Sequence, residues 1–425
     1  MTYALPPSDP AVLATGNSPI RPSTGAHRPM RIGFRIGQFP NISETFVLSQ
    51  ILALISSGHH VEILADNRPV KSAASELHQG LAKATYIQPT SGWMNRTYSH
   101  LPWRMRQQRV RAAERKLVRS MDVIICNFGW FGAQVARHCE DIRDGARILT
   151  IFHGDDMSRV FRDGGDAIYD HLFEHGDVFL PISDLWRKRL LDLGAAADRI
   201  AILRMGIDAT SIPFKPRSPS KDQPYRFISV CRLVEKKGTE FTLRALALLR
   251  KNRPDLLWHL DIIGDGPLRN SLETLSGELG IDESVRFHGE LPNEVVLENL
   301  QGADCFVLPS VVAKDGDMEG IPVALMEAMA SGLPVISSTH SGIPELIEHE
   351  VNGLLAPERD EQALSQLLAR MIEDEEGRQA WTNAARKTVE ARFDLGQLNT
   401  RLEKICRAAT AGNIALAQFI ASETA

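Results

Sequence analysis

The chain reads as an α/β protein: two Rossmann-like domains, each a parallel sheet wrapped in helices, face each other across a cleft, and a helical C-terminal segment follows. Three observations predict this. Short apolar runs alternate with helical patterns throughout, as in chains of strand–helix–strand crossovers. The alternation occurs in two series of similar size, parted by Pro213, Pro216, Pro219 and Pro224 among Ser and Lys. At 425 residues the chain also exceeds one ordinary domain.

Residues 1–29 are rich in Pro, Ser, Thr and Gly and lack a continuous apolar core, so they read as a disordered leader rather than a secretion signal. The first domain is expected over 30–208, a linker over 209–224, the second domain over 225–395 and a helical tail over 396–425. In the first domain the strand candidates are 31–37, 61–65, 121–127, 147–152, 177–182 and 201–205. They are β-branched and aromatic runs bounded by Gly, Pro or Asp, as expected of strands buried on both faces.

Ligands of such a sheet gather at the carboxyl ends of its strands. Run 31–37 ends in Gly37 and continues through Ser43, Glu44 and Thr45 into an amphipathic helix. Ser43 suits an N-cap, while the loop and Gly37 also lie where phosphate or acceptor would enter. Run 147–152 ends in His153-Gly-Asp-Asp156. A histidine at a strand tip before a glycine is well placed for a substrate, with Asp156 on the acceptor side. His153, Asp155 and Asp156 make a poor metal site, because no second ligand cluster is visible. Residues 93–119 carry eight cations against Glu114, interleaved with Trp93, Tyr98 and Trp103. This pattern fits a helix lying on an anionic membrane, and equally a solvated surface helix.

The second series has candidates at 225–231, 258–264, 284–287, 305–309, 334–338 and 353–356. Run 225–231 leads to Arg232 and then Lys237-Gly-Thr239, with Thr239 a possible N-cap. Arg232 and Lys237 can neutralise a diphosphate; a solvated basic loop reads from the same residues. Gly264 and Gly266 permit close approach of the backbone to a ligand or a plain tight turn. His288 falls where a base can lodge and equally suits a structural hydrogen bond. The most informative stretch is 319–334, EGIPVALMEAMASGLP. Gly320, Ile321 and Pro322 open a helix whose first amides attract an anion, and Gly332 with Pro334 closes it. Glu319 before the helix and Glu327 two turns inside it add carboxylate acceptors. Such a set suits a ligand carrying hydroxyls and phosphates, as a nucleotide sugar does.

Hydrophobic residues make up 43% and charged residues 24%, ordinary for a globular protein, and the net charge of −5 argues against nucleic-acid binding by bulk charge. Five cysteines without a CxxC pair argue against a disulfide frame or zinc site and favour a reducing, cytoplasmic compartment. No apolar window reaches the length of a membrane span.

These motifs resemble the GT-B retaining glycosyltransferases of family 4 over roughly residues 30 to 395. The strongest part is Glu319-Gly-Ile-Pro-Val-Ala-Leu-Met-Glu327, supported by Arg232…Lys237-Gly and Ile263-Gly-Asp-Gly-Pro. Phe39-Pro-Asn-Ile-Ser-Glu-Thr-Phe46 and Gly58-His-His-Val61 are similar to the subset that builds colanic acid, capsule and other bacterial exopolysaccharides. The chain departs from the family pattern at Asp155 and at Met205. The resemblance implies that Glu327 holds the ribose, Glu319 the donor-sugar hydroxyls, and the backbone of Gly320–Pro322 the sugar and diphosphate. It implies that Arg232 and Lys237 stabilise the leaving nucleoside diphosphate in place of a metal, with no cofactor, and that His153 lies near the anomeric carbon. The implied acceptor is a glycan or a polyprenyl-linked oligosaccharide, reached from the cytoplasm or the inner membrane face. Competing readings are a GT-B nucleotide-sugar epimerase and a non-catalytic carbohydrate-binding protein. A dehydrogenase is disfavoured, because Ile36-Gly-Gln-Phe39 lacks the required glycine pattern.

Overall fold

The computed structural model describes residues 28–39, 45–68, 83–88, 100–142, 145–220 and 222–424. The expected leader thus falls almost wholly outside the described residues, as do Ser43 and Glu44. The first half contains β1 (Arg31–Gln38), α1 (Thr45–Ser56), β2 (His60–Asn67), β3 (Lys83–Tyr86), α2 (Trp103–Ser120), β4 (Val123–Asn127) and α3 (Gly129–Cys139). It continues with β5 (Arg147–Phe152), α4 (Arg159–Gly164), α5 (Asp170–His175), β6 (Val178–Pro181) and α6 (Asp184–Asp192). The second half runs β7 (Tyr225–Val230), α7 (Thr239–Asn252), β8 (Trp258–Ile263), α8 (Arg269–Glu278), β9 (Val285–Gly289), α9 (Asn293–Gly302) and β10 (Cys305–Leu308). Then follow α10 (Val323–Ser331), β11 (Val335–Ser338), α11 (Ile343–Leu346), β12 (Leu354–Ala356), α12 (Glu361–Glu373) and α13 (Glu375–Arg392). Two further helices, α14 (Leu395–Ala411) and α15 (Asn413–Thr424), complete the chain.

The strand orders are β3-β2-β1-β4-β5-β6 and β12-β11-β10-β7-β8-β9. Counted from its own first strand, each half has the same order, and every paired strand is parallel. The order reverses between β1 and β4 and again between β7 and β10, which places a crevice at the carboxyl end of each sheet. Central strands are buried on both faces, as their apolar sequences require: Ile32, Phe34 and Ile36 in β1, and Phe227, Ile228 and Val230 in β7. All five cysteines are free and buried.

Two strand expectations change. β3 was not read from the sequence; Lys-Ala-Thr-Tyr is a half-exposed edge strand with no apolar signal. Residues 201–205 lie beside β6 through Ala201 N–H to Phe179 O (3.0 Å) and Leu203 N–H to Pro181 O (3.0 Å), too few bonds to build a strand. The tail is helical as expected, and it crosses back onto the first domain: Leu402, Ile405, Cys406, Leu416 and Ile420 share a core with Phe34, Ile51 and Phe179. The chain therefore passes between domains twice, and the passes lie side by side. Ile207 N–H bonds Phe393 O at 3.0 Å, and Leu395 N–H bonds Ile207 O at 2.9 Å. Gly206 is required there, since a Cβ would collide with the Phe393 carbonyl.

Candidate functional site

β7 delivers Arg232 to the crevice of the second domain, where its side chain is exposed. Leu233 N–H bonds Asp265 O (2.9 Å) and Leu268 N–H bonds Leu233 O (3.1 Å), tying this loop to the turn after β8. A Cβ on Gly266 would collide with the Leu233 carbonyl, so this glycine serves loop-to-loop contact. Gly264 is left-handed (φ 126°) and bonds Gly289 O through its N–H. Residues 235–237 form a short 3-10 turn that ends at Gly238, whose φ of 68° and closeness to the Pro309 carbonyl exclude a side chain. Gly238, and not Thr239, holds the cap position of α7; Thr239 is the buried first helical residue, 3.8 Å from Cys231 Sγ.

That turn carries Lys237 toward Glu319. Lys237 Nζ lies 3.0 Å from Glu319 Oε2, and Lys236 Nζ lies 3.6 Å from Oε1 and 3.0 Å from Asp317. Glu319 is only 8% exposed. Burial pushes its pKa up, but Lys237 and Lys236 outweigh that cost and hold it below the ordinary carboxyl value. Its backbone is fixed as well: Glu319 N–H donates to His340 Nε2 (3.1 Å), and Ser341 Oγ donates to Glu319 O (2.6 Å). Because His340 Nε2 accepts, its Nδ1–H is directed at Glu358 Oε1, 2.6 Å away. Ser341 adopts φ 49°, strained for a non-glycine residue. Pro322 sits immediately before α10 rather than in its first turn, and Gly332 closes the helix at φ 83°. Glu327 lies in the second turn of α10, 8% exposed.

The first domain meets this arrangement at His153-Gly154. A Cβ on Gly154 would stand 2.9 Å from Met318 O and 3.3 Å from Gly320 N, and one on Gly320 would stand 2.6 Å from Ile182 Cδ1. Ser158 Oγ donates to Gly154 O (2.7 Å) and accepts from Met318 N–H (3.3 Å). His153 and Glu319, 166 positions apart in the sequence, are thus brought to one seam. The His153 ring lies between Phe46 and Phe128, with ring centres at 5.0 and 4.6 Å, and its Nε2 is 3.4 Å from Asn127 Oδ1. Burial pushes its pKa down to about 3, so the imidazole is neutral at working pH. Phe128 is itself strained, at φ 84° and ψ 139°.

Asp156 takes a different part from the one expected. It is fully buried; Oδ1 accepts from His153 N–H (2.8 Å) and Oδ2 from Gly129 N–H (2.7 Å), so it braces the loop beneath His153 and does not face an acceptor. Burial pushes its pKa up to about 7. His288 also turns inward: its Nε2 lies 2.7 Å from Asp261 Oδ1, and Arg226 binds the same carboxylate at 3.0 Å, giving the structural role. Gly37 is the penultimate residue of β1, and a Cβ there would stand 3.4 Å from the Phe131 ring. Thr45 opens α1, and its side chain lies outside the described residues. Sequence reasoning missed Lys236, Phe128, His340, Ser341 and Glu358. His340 and Ser341 follow a strand and precede Gly-Ile-Pro, the same kind of station as the others.

Of the basic stretch 93–119, residues 93–99 with Trp93 and Tyr98 lie outside the described residues, and the remainder gains a detail. Glu114 faces inward and pairs with fully buried Arg35 (2.7 Å) and with His138 (2.5 Å). Arg35 also reaches Asp66 at 2.6 Å. The single acid of that stretch is thereby removed from the surface, leaving Arg104, Arg109, Arg111, Lys116 and Arg119 exposed on α2 beside Trp103 (65% exposed) and Met105 (52%).

Two facing domains of identical strand order, with charged groups gathered at strand carboxyl ends, define the GT-B class of enzyme fold. Residues 43–211 match glycosyltransferase family 4, and residues 211–388 match the glycosyl transferases group 1. The chain is 37% identical over 410 residues to the colanic acid biosynthesis glycosyltransferase WcaL of Escherichia coli K12, covering 89% of this chain and 100% of that one. It is also 37% identical over 395 residues to the amylovoran biosynthesis glycosyltransferase AmsK of Erwinia amylovora, covering 86% and 96%. Among solved structures, Anabaena HepE in complex with UDP superposes with a TM-score of 0.68 at 18% identity, covering 88% of this chain and 99% of that one. The chain belongs to the family 4 glycosyltransferases.

Proposed function

We propose that this glycosyltransferase moves a sugar, with retention of configuration and without a metal, from a nucleoside-diphosphate sugar to a glycan or polyprenyl-linked oligosaccharide in exopolysaccharide assembly. The observation that carries the reading is Glu319, buried and ionised between Lys236 and Lys237 where His153-Gly154 meets Gly320. Glycosyl transfer builds negative charge on the departing phosphate, and fixed cations aimed at it stabilise that charge. Arg232 and Lys237 serve that purpose together with the first amides of α10. Glu319 takes the sugar hydroxyls, Glu327 the ribose, and neutral His153 stands beside the anomeric carbon. The relatives named for colanic acid and amylovoran support the exopolysaccharide assignment, and the UDP-bound neighbour supports a nucleoside-diphosphate donor.

The test is a panel of UDP- and GDP-sugars offered to the purified protein with a lipid-linked acceptor, in the presence of EDTA. Transfer is expected for one donor, with the product anomer matching the donor by NMR, and loss in Glu327→Ala. Hydrolysis or epimerisation without acceptor, an inverted product, or abolition by EDTA would each refute the corresponding part. The exposed cationic face of α2 supports peripheral membrane contact, since Trp103 and Met105 can enter the headgroup region while the arginines meet anionic lipid. Co-sedimentation with anionic vesicles that falls in Trp103→Glu is the expected outcome. Among the described residues no helix is long and apolar enough to cross a membrane.

A further inference from the structure

An open cavity of about 840 Å³ lies at the double crossing between the domains. Its wall carries Arg187, Arg204, Arg392, Arg401 and Lys404 against one carboxylate, Asp394. Asp394 is already engaged as the cap of α14, accepting Gln397 N–H at 2.9 Å. In a chain with net charge −5, five cations around one opening need a reason.

Protein partners satisfy only part of this charge. Arg204 Nη2 binds Glu345 Oε2 at 2.8 Å, and Arg401 Nε donates to Ile202 O at 2.8 Å. The buried Nε of Arg204 has no hydrogen-bond partner among the described residues. Arg392 and Lys404 make no hydrogen bond or ion pair there through their side chains. Burial first, and then the charge of Arg204, hold the Arg392 and Arg401 guanidinium groups below their ordinary pKa, while Glu345 and Glu348 offset part of this at Arg392. The volume falls within the roughly 300–1,000 Å³ of small-ligand sites. Guanidinium groups match phosphate oxygens through paired hydrogen bonds.

We propose that this cavity binds a small phosphate-bearing anion, most simply one with a diphosphate group, at a site separate from the donor cleft. Arg187 and Arg204 belong to the first domain, and Arg392 ends the last helix of the second. An anion bridging them ties the domains together at the crossing. Arg204 also lines a small void of about 10 Å³ shared with His153, so occupancy has a direct route to the catalytic seam.

The test titrates inorganic pyrophosphate calorimetrically into the full chain carrying Arg232→Ala and Lys237→Ala, which removes the donor-cleft cations. One-site binding is expected to persist in that background. Adding Lys404→Glu should weaken it about tenfold or more, the loss of one charge-assisted contact. Lys404 is exposed, so the melting temperature should not change. Arg392→Ala, measured separately, should weaken binding to a similar degree. Farnesyl diphosphate run in parallel distinguishes the source: tighter binding than pyrophosphate indicates a lipid-linked anion, equal binding a soluble one, and either supports the site. Binding of neither probe, or binding indifferent to both Lys404→Glu and Arg392→Ala, overturns the proposal.

Discussion

The two halves share one strand order yet carry opposite chemistry at their crevices. In the second half the station groups are charged and close: Lys236 and Lys237 converge on a carboxylate, and Arg232 stands exposed nearby. In the first half the corresponding groups are buried: neutral His153 sits between two aromatic rings, and both carboxylate oxygens of Asp156 are taken up by backbone amides. One topology thus supports a half that handles charge and a half that supplies shape, because the strand tips fix only where side chains project. The loops decide what projects there.

The largest expected effect tests the charged half. Lys237→Ala should reduce kcat/KM by the equivalent of about 2–4 kcal/mol, as on removing one oxyanion donor, and should lower turnover more than it weakens the fold. A large loss of stability with little change in rate would break the division of labour. Gly238→Ala attacks the turn that presents Lys237; a side chain there is strained and collides with Pro309, and roughly 1–3 kcal/mol of stability should be lost in denaturant unfolding. Glu345→Ala probes the join between halves. Glu345 accepts from Asp184 N–H at 2.6 Å and pairs with Arg204, so about 1–3 kcal/mol should disappear, with a larger radius of gyration in small-angle scattering.

A further effect concerns the neutral half and appears only at acid pH. His153 has an ordinary value of 6.5 and is pushed down to about 3 by burial. The unfolded chain therefore gains this proton first. The stability it protects is complete above pH 6.5 and is lost as pH falls toward 3. His153→Asn should flatten that acid limb in urea titrations at stepped pH, and an unchanged limb would remove burial as the cause.

Much of the charged half was legible from sequence because its residues are close in the chain. Glu319 through Glu327 and Arg232 through Lys237 are each one loop with its helix start, and the apolar runs of β7 to β12 are continuous. Groups whose roles depend on distant partners were less legible, in both halves. β3 is an edge strand with polar residues; Asp156 was read on the acceptor side although the His153 and Gly129 amides claim it, and His288, open between a base contact and a structural bond, pairs with Asp261. His340 and Glu358 act through a hydrogen-bond chain that no local pattern announces. Gly266 was read as a site of close approach or a turn, but its reason, contact with Leu233, is tertiary, as is that of Gly238 against Pro309.

The return of α14 and α15 to the first domain has a practical consequence. Cutting the gene after residue 208 would leave Phe34 and Ile51 without the apolar cover that Leu402 and Ile405 provide, and the fragment should precipitate. A soluble version of that half needs the last 30 residues grafted on through a short tether, whereas the other half can be excised as one continuous piece.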